Sequence, residues 1–78
     1  MKSISDAQIA EALMDIAHRR GAAKTFCPSE VACALTDAWR PLMPEVRRVA
    51  AALPLKATQK GVPVDPLTAK GPIRLSLD

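Results

Sequence analysis

The spacing of apolar residues changes period once in this chain, at Pro54. Before it, Ile9, Leu13 and Ile16, and later Val46, Val49, Ala50 and Leu53, recur at three- and four-residue intervals, the mark of helices with one buried stripe. After it, Leu55, Ala57 and Gln59 alternate with Lys56, Thr58 and Lys60, and Ile73, Leu75 and Leu77 alternate with Arg74 and Ser76, the mark of half-buried strands. Proline lacks the amide a helix interior needs, so Pro54 separates the two regimes. A chain that is helical first and extended afterwards packs its helices on one side of an antiparallel sheet, an α+β arrangement.

Length sets the scale. The 78 residues leave room for one domain, taken as 1–78. Apolar residues are 49 % of the chain, but fourteen are alanines, so large core formers are few. Ile9, Leu13, Ile16, Val31, Leu35, Val46, Val49, Leu53, Ile73, Leu75 and Leu77 are expected to carry most of the core, with Trp39 packing into it or between helices unless it is exposed beside Pro41 and Leu42. A domain this small buries only about 60 % of its unfolded surface, which leaves little stability to hold a strained catalytic cleft.

Local signals give the elements. Ser5 and Gln8 form a capping-box pair at the start of a helix over about 6–20, with Asp6 in its first turn. Arg19 and Arg20 suit its carboxyl end, and Gly21 is expected as a left-handed cap. Residues 21–27 connect, with room for a short β-bridge at Lys24–Phe26. Pro28 opens a second helix to about 36, where its missing amide costs nothing. Pro41 and Pro44 both suit the start of a third helix, whose inner stripe is Met43, Val46, Val49, Ala50 and Leu53. Strands follow at 55–60 and 73–77, and the prolines of Gly61–Gly71 predict a stiff loop between them rather than a paired strand. Three helices followed by a two-stranded ribbon is the order of a winged helix-turn-helix domain.

Charge is uneven. Residues 1–39 carry four Lys/Arg against five Asp/Glu, a net of −1; residues 40–78 carry seven against three, a net of +4. A basic half beside a near-neutral half is the footprint of a polyanion binder. On a helix-turn-helix reading, Arg47 and Arg48 lie on the recognition helix, where arginine can reach a guanine edge or a phosphate. Arg40 then contacts phosphate, and Lys60 and Lys70, with Lys56, contact it from the wing. Adjacent arginines also simply keep an exposed helix soluble, and lysine on an edge strand blocks strand-to-strand association. Arg74 is expected to pair with Asp65 or Glu45 or to meet phosphate. With Phe26 and Trp39 as the only aromatic residues, the stacking platforms of single-strand binders are missing. Double-stranded DNA is therefore the expected partner. The alternative is a protein-interaction adaptor of the same fold, using an apolar patch of Trp39, Leu42 and Met43.

Other classes are disfavoured. Cys27 and Cys33 match no zinc spacing, and His18, the single histidine, cannot complete a ligand set, so no metal or cofactor is expected. Nothing brings His18 to Cys27 or Ser29 as a base, and Ser29-Glu30 reads as first-turn helix chemistry, so no catalytic residues and no enzymatic activity are expected. No apolar run reaches membrane-spanning length and MKSISDAQ lacks a signal-peptide core, which together with reduced thiols implies a cytoplasmic protein.

The segments TFCPSEVACAL, WRPLMPEVRRVAAAL and TQKGVPVDPLTAKGPIRLSL resemble the DUF3253 family, small bacterial proteins of unknown function, over about residues 6–77. The most specific part runs from Gln59-Lys60-Gly61 through Val64-Asp65-Pro66 to Lys70-Gly71-Pro72-Ile73-Arg74, and Cys27-Pro28-Ser29-Glu30-Val31-Ala32 is second. The resemblance implies a winged-helix-like fold and no particular activity. The helix-to-strand connection Leu53-Pro54-Leu55 is shorter than the family pattern suggests.

Overall fold

Ser5 caps the first helix as the sequence leads one to expect. In a computed structural model that describes residues 4–77, its Oγ accepts from the Gln8 amide at 3.1 Å while Gln8 Oε1 accepts from the Ser5 amide at 2.8 Å. This reciprocal cap starts helix α1, Asp6–Arg20, which buries Ile9, Leu13, Ile16 and Ala17. Gly21 ends it with φ 80° and ψ 165°, outside the left-handed helical region expected for the cap, in backbone space open essentially to glycine alone. The chain thereby leaves α1 extended and reaches Phe26, which forms an isolated antiparallel bridge with Leu75 and is fully buried. The sequence-predicted bridge is real, and Phe26 joins the aliphatic residues expected to carry most of the core.

Helix α2, Pro28–Leu35, has Pro28 at its first position, and a 3-10 turn at Arg40–Leu42 leads into α3, Met43–Ala51. Both prolines fit: Pro41 lies in the 3-10 turn and Pro44 in the first turn of α3. Helix α3 ends two residues earlier than its apolar stripe suggests. Pro54 disfavours helical geometry at Leu53, so the chain tightens through Ala52 N–H to Val49 O and Leu53 N–H to Ala50 O. Val46, Val49 and Ala50 are buried, whereas Leu35, Leu53 and Leu77 are half-buried against the core rather than inside it.

The sheet differs from expectation. It has three antiparallel strands in the order β2-β1-β3: β1 Leu55–Gln59, β2 Val62–Pro63 and β3 Arg74–Leu77. The predicted two-stranded ribbon and unpaired Gly61–Gly71 loop are corrected by β2. Lys60 and Gly61 both take positive φ, 53° and 81°, the signature of a two-residue hairpin turn that carries the chain straight back along β1. Pro63 tolerates pairing because it faces Thr58 at a position between bonded pairs, and the next amide, Val64 N–H, donates to Ala57 O at 2.9 Å. In the other pairing, Lys56 faces Ser76, Ala57 faces Leu75 and Thr58 faces Arg74. Ala57 and Leu75 therefore turn into the core, and Lys56 and Arg74 lie on the outward face, both exposed. Among the described residues no helix is long and apolar enough to cross a membrane.

Lysine in left-handed geometry costs about 1–2 kcal/mol relative to glycine. Lys60→Asn should accordingly raise the urea midpoint, by about 0.5–1 kcal/mol of stability, and Gly61→Ala should lower it by about 1 kcal/mol or more.

Candidate nucleic-acid interface

The two adjacent arginines of α3 go in opposite directions. Arg47 is half-buried and reaches across to the segment that links β2 to β3, donating from Nη1 to Ala69 O at 2.7 Å and from Nη2 to Gly71 O at 2.5 Å. Gln59, from the end of β1, donates through Nε2 to Lys70 O at 2.5 Å and Pro72 O at 3.2 Å. Four consecutive carbonyls, 69 to 72, are thus shared alternately between a guanidinium and an amide. The segment is further ordered by Asp65, whose Oδ1 accepts from Leu67 N–H and whose carbonyl accepts from the amides of Thr68 and Ala69. Gly71 has φ 84°, and a Cβ there would lie 3.4 Å from Gln59 Nε2.

Arg48 is exposed and turns to α1. It donates to both carboxylate oxygens of Asp6, at 3.0 and 2.6 Å, and to Glu45 at 2.6 Å. The Arg48 hydrogen bonds hold the Asp6 carboxyl below its ordinary range of about 3.8 and push the guanidinium still further from deprotonation. The exposed face of α3 therefore presents an arginine already flanked by two carboxylates.

The remaining cations are arranged differently. Arg40 is exposed with its guanidinium 5.1 Å from the centre of the Trp39 ring. Arg74 donates to Thr25, to Oγ1 at 3.1 Å and to the carbonyl at 3.2 Å, rather than to the expected Asp65 or Glu45. Lys56, Lys60 and Lys70 are exposed. None of Arg40, Lys56, Lys60, Lys70 and Arg74 makes an ion pair among the described residues. Lys56 and Arg74 share the outward sheet face, Lys60 stands in the hairpin turn, and Lys70 lies on the segment held by Gln59 from the inward phase of β1. Arg40 lies in the 3-10 turn that leads into α3.

Trp39, Leu42 and Met43 are half-buried and pack against the core instead of forming an open patch. Ser29 Oγ lies 3.0 Å from Cys27 Sγ, His18 Nδ1 lies 2.7 Å from Met14 O, and Glu30 is engaged by Arg20. Cys27 and Ser29 thus contact each other, while His18 and Glu30 are engaged by other residues.

The family profile described as "Protein of unknown function (DUF3253)" matches residues 6–78. The chain belongs to this family. No curated protein matches it.

Sequence reasoning missed Gln59 and Asp6 as structural partners. Gln59 left a signal, as a polar residue on the inward, otherwise apolar phase of β1. Arg47 left one too, one turn after Met43 and beside the buried stripe. Asp6 left none, because it meets Arg48 from 42 positions away.

Two outcomes follow from this geometry. Arg47→Met should cost about 1–3 kcal/mol of unfolding free energy and Gln59→Ala about 1 kcal/mol. Because either change loosens the same segment, the double variant should lose less than the two combined, by about 0.5 kcal/mol or more in a double-mutant cycle. For Asp6, a folded-state value below the unfolded one means that the pair stabilises the protein at neutral pH and that this contribution fades as pH falls through and below 3.8. Asp6→Asn should lower the urea midpoint slightly at neutral pH and flatten its decline in acid.

Proposed function

We propose that the chain is a winged-helix domain that binds double-stranded DNA from its sheet and hairpin, chiefly through phosphate. The order of elements supports the fold: α1, an extended bridge at Phe26, α2, α3, then β1, the hairpin and β3, with β3 lying between the Phe26 bridge and β1. Three helices followed by strands of which the last, β3, closes against the chain between the first two helices is what a winged-helix reading calls for.

The observation that carries the function is the group of Lys56, Lys60, Lys70 and Arg74, exposed and without ion pairs among the described residues. Lysine at a hairpin tip and along an outward sheet face meets phosphates as a point charge and carries little base information. Arg47 and Arg48, the recognition-helix arginines of the sequence reading, have less part in this proposal. One is engaged by carbonyls of its own chain, and the other sits between Asp6 and Glu45, whose negative charge opposes phosphate. Arg40 adds a peripheral contact. The adaptor reading has less support, since Trp39 and Leu42 are half-buried against the core.

About four phosphate contacts give a log–log salt slope of about −3 to −4. Fluorescence titration of a labelled random-sequence duplex at several salt concentrations should return that slope. In Lys56→Gln/Lys60→Asn/Lys70→Gln the slope should shrink to about −1, while Arg48→Gln should leave it unchanged. No binding at the lowest salt, or a loss confined to Arg48→Gln, would overturn the proposal.

A further inference from the structure

Between the first turns of α2 and α3 and the clamped segment lies an open recess of about 830 Å³. That is within the range of small-molecule sites, roughly 300–1,000 Å³. Its walls are largely apolar: Met43, Pro44, Leu67, Pro72 and Ile73, with Leu67 at 59 % exposure despite its size. Its polar lining includes Glu45, Arg47 and Arg48. Glu45 and Arg48 are joined to each other, so their charges offset locally.

Arg47 differs. Its two recorded acceptors are neutral carbonyls, and it makes no ion pair among the described residues. A guanidinium has five N–H donors. With one bond to Ala69 and one to Gly71, three donors have no acceptor among the described residues. No buried side-chain nitrogen among the described residues lacks a partner, so these donors open to solvent, where a ligand can take them, and the planar guanidinium matches a carboxylate in geometry. A heavily hydrated phosphate would lose too much solvation against these walls.

We infer that the recess binds a small apolar carboxylic acid, with its carboxylate on Arg47 and its hydrocarbon body against Met43, Leu67 and Ile73. Lys56, Lys60 and Arg74 do not line the recess, so the site stands or falls independently of DNA binding. Occupancy would add an anionic partner to the residue that holds segment 69–72, without requiring either clamp bond to break.

Amide NMR of the full chain, titrated in turn with octanoate, octanol and octylamine at low-millimolar concentration, tests this. Octanoate should shift the amides of Met43, Arg47, Leu67 and Ile73 and bind about 10-fold or more tightly than octanol, the size of one charge-assisted contact. Octylamine should leave those amides in place. Leu67→Glu, a rim change that leaves the clamp intact, should abolish the octanoate shifts while the remaining spectrum stays native. In folded Arg47→Met, octanoate should lose its advantage over octanol. Equal affinity of the native protein for octanoate and octanol, absence of shifts at the recess, or undiminished octanoate binding by Leu67→Glu would overturn the inference.

Discussion

The fold turns on two side chains that hold four carbonyls. Arg47 on α3 and Gln59 on β1 take the carbonyls of residues 69 to 72 in alternation, and by doing so join the last helix to the return path into β3. Immediately beyond that path Ile73 enters the core, and Leu75 then pairs with both Ala57 and the Phe26 bridge. Unclamped, the segment would have only the Asp65 turn to order it before the chain reaches the core. In a domain whose total stability is on the order of 5 kcal/mol, the roughly 1–3 kcal/mol carried by the Arg47 pair of bonds is a large share.

This use of Arg47 redistributes the chemistry of the basic half. The +4 balance of residues 40–78 does not lie on one helix. Two arginines are drawn into the protein's own architecture, one by carbonyls and one by carboxylates brought from α1 and α3. The cations left without ion pairs among the described residues gather toward the sheet and hairpin. Exposed lysines of this kind suit phosphate positioning more than base readout, which is why the DNA binding we propose is sequence-tolerant. The same redistribution leaves one half-buried guanidinium facing an apolar recess without a counter-ion, the physical basis for a carboxylate site.

Much of the fold is legible in the sequence because its determinants are local. Ser5 and Gln8 are three residues apart, Pro28 acts at its own helix end, and the change of period at Pro54 spans neighbouring residues. Phe26 could be placed in a bridge from its position between two helices. The hairpin was hidden because Lys60-Gly61 lacks the Asn-Gly or Asp-Gly signature that normally announces such a turn, and because Pro63 argues against pairing unless its register is known. The site was less legible for a different reason. Whether an arginine is available to a partner depends on contacts spanning 22, 24 and 42 residues, and no local count of charge distinguishes an engaged guanidinium from an available one.

The most direct test is the side-chain NMR signal of Arg47 in the protein alone and with random-sequence duplex DNA. A guanidinium held by Ala69 and Gly71 should show hindered rotation, with separate, slowly exchanging Nη–H resonances that persist unchanged when DNA is added. A single averaged, rapidly exchanging signal in the protein alone, or a shift of the Arg47 resonances on DNA binding, would contradict the account and return Arg47 to a recognition role.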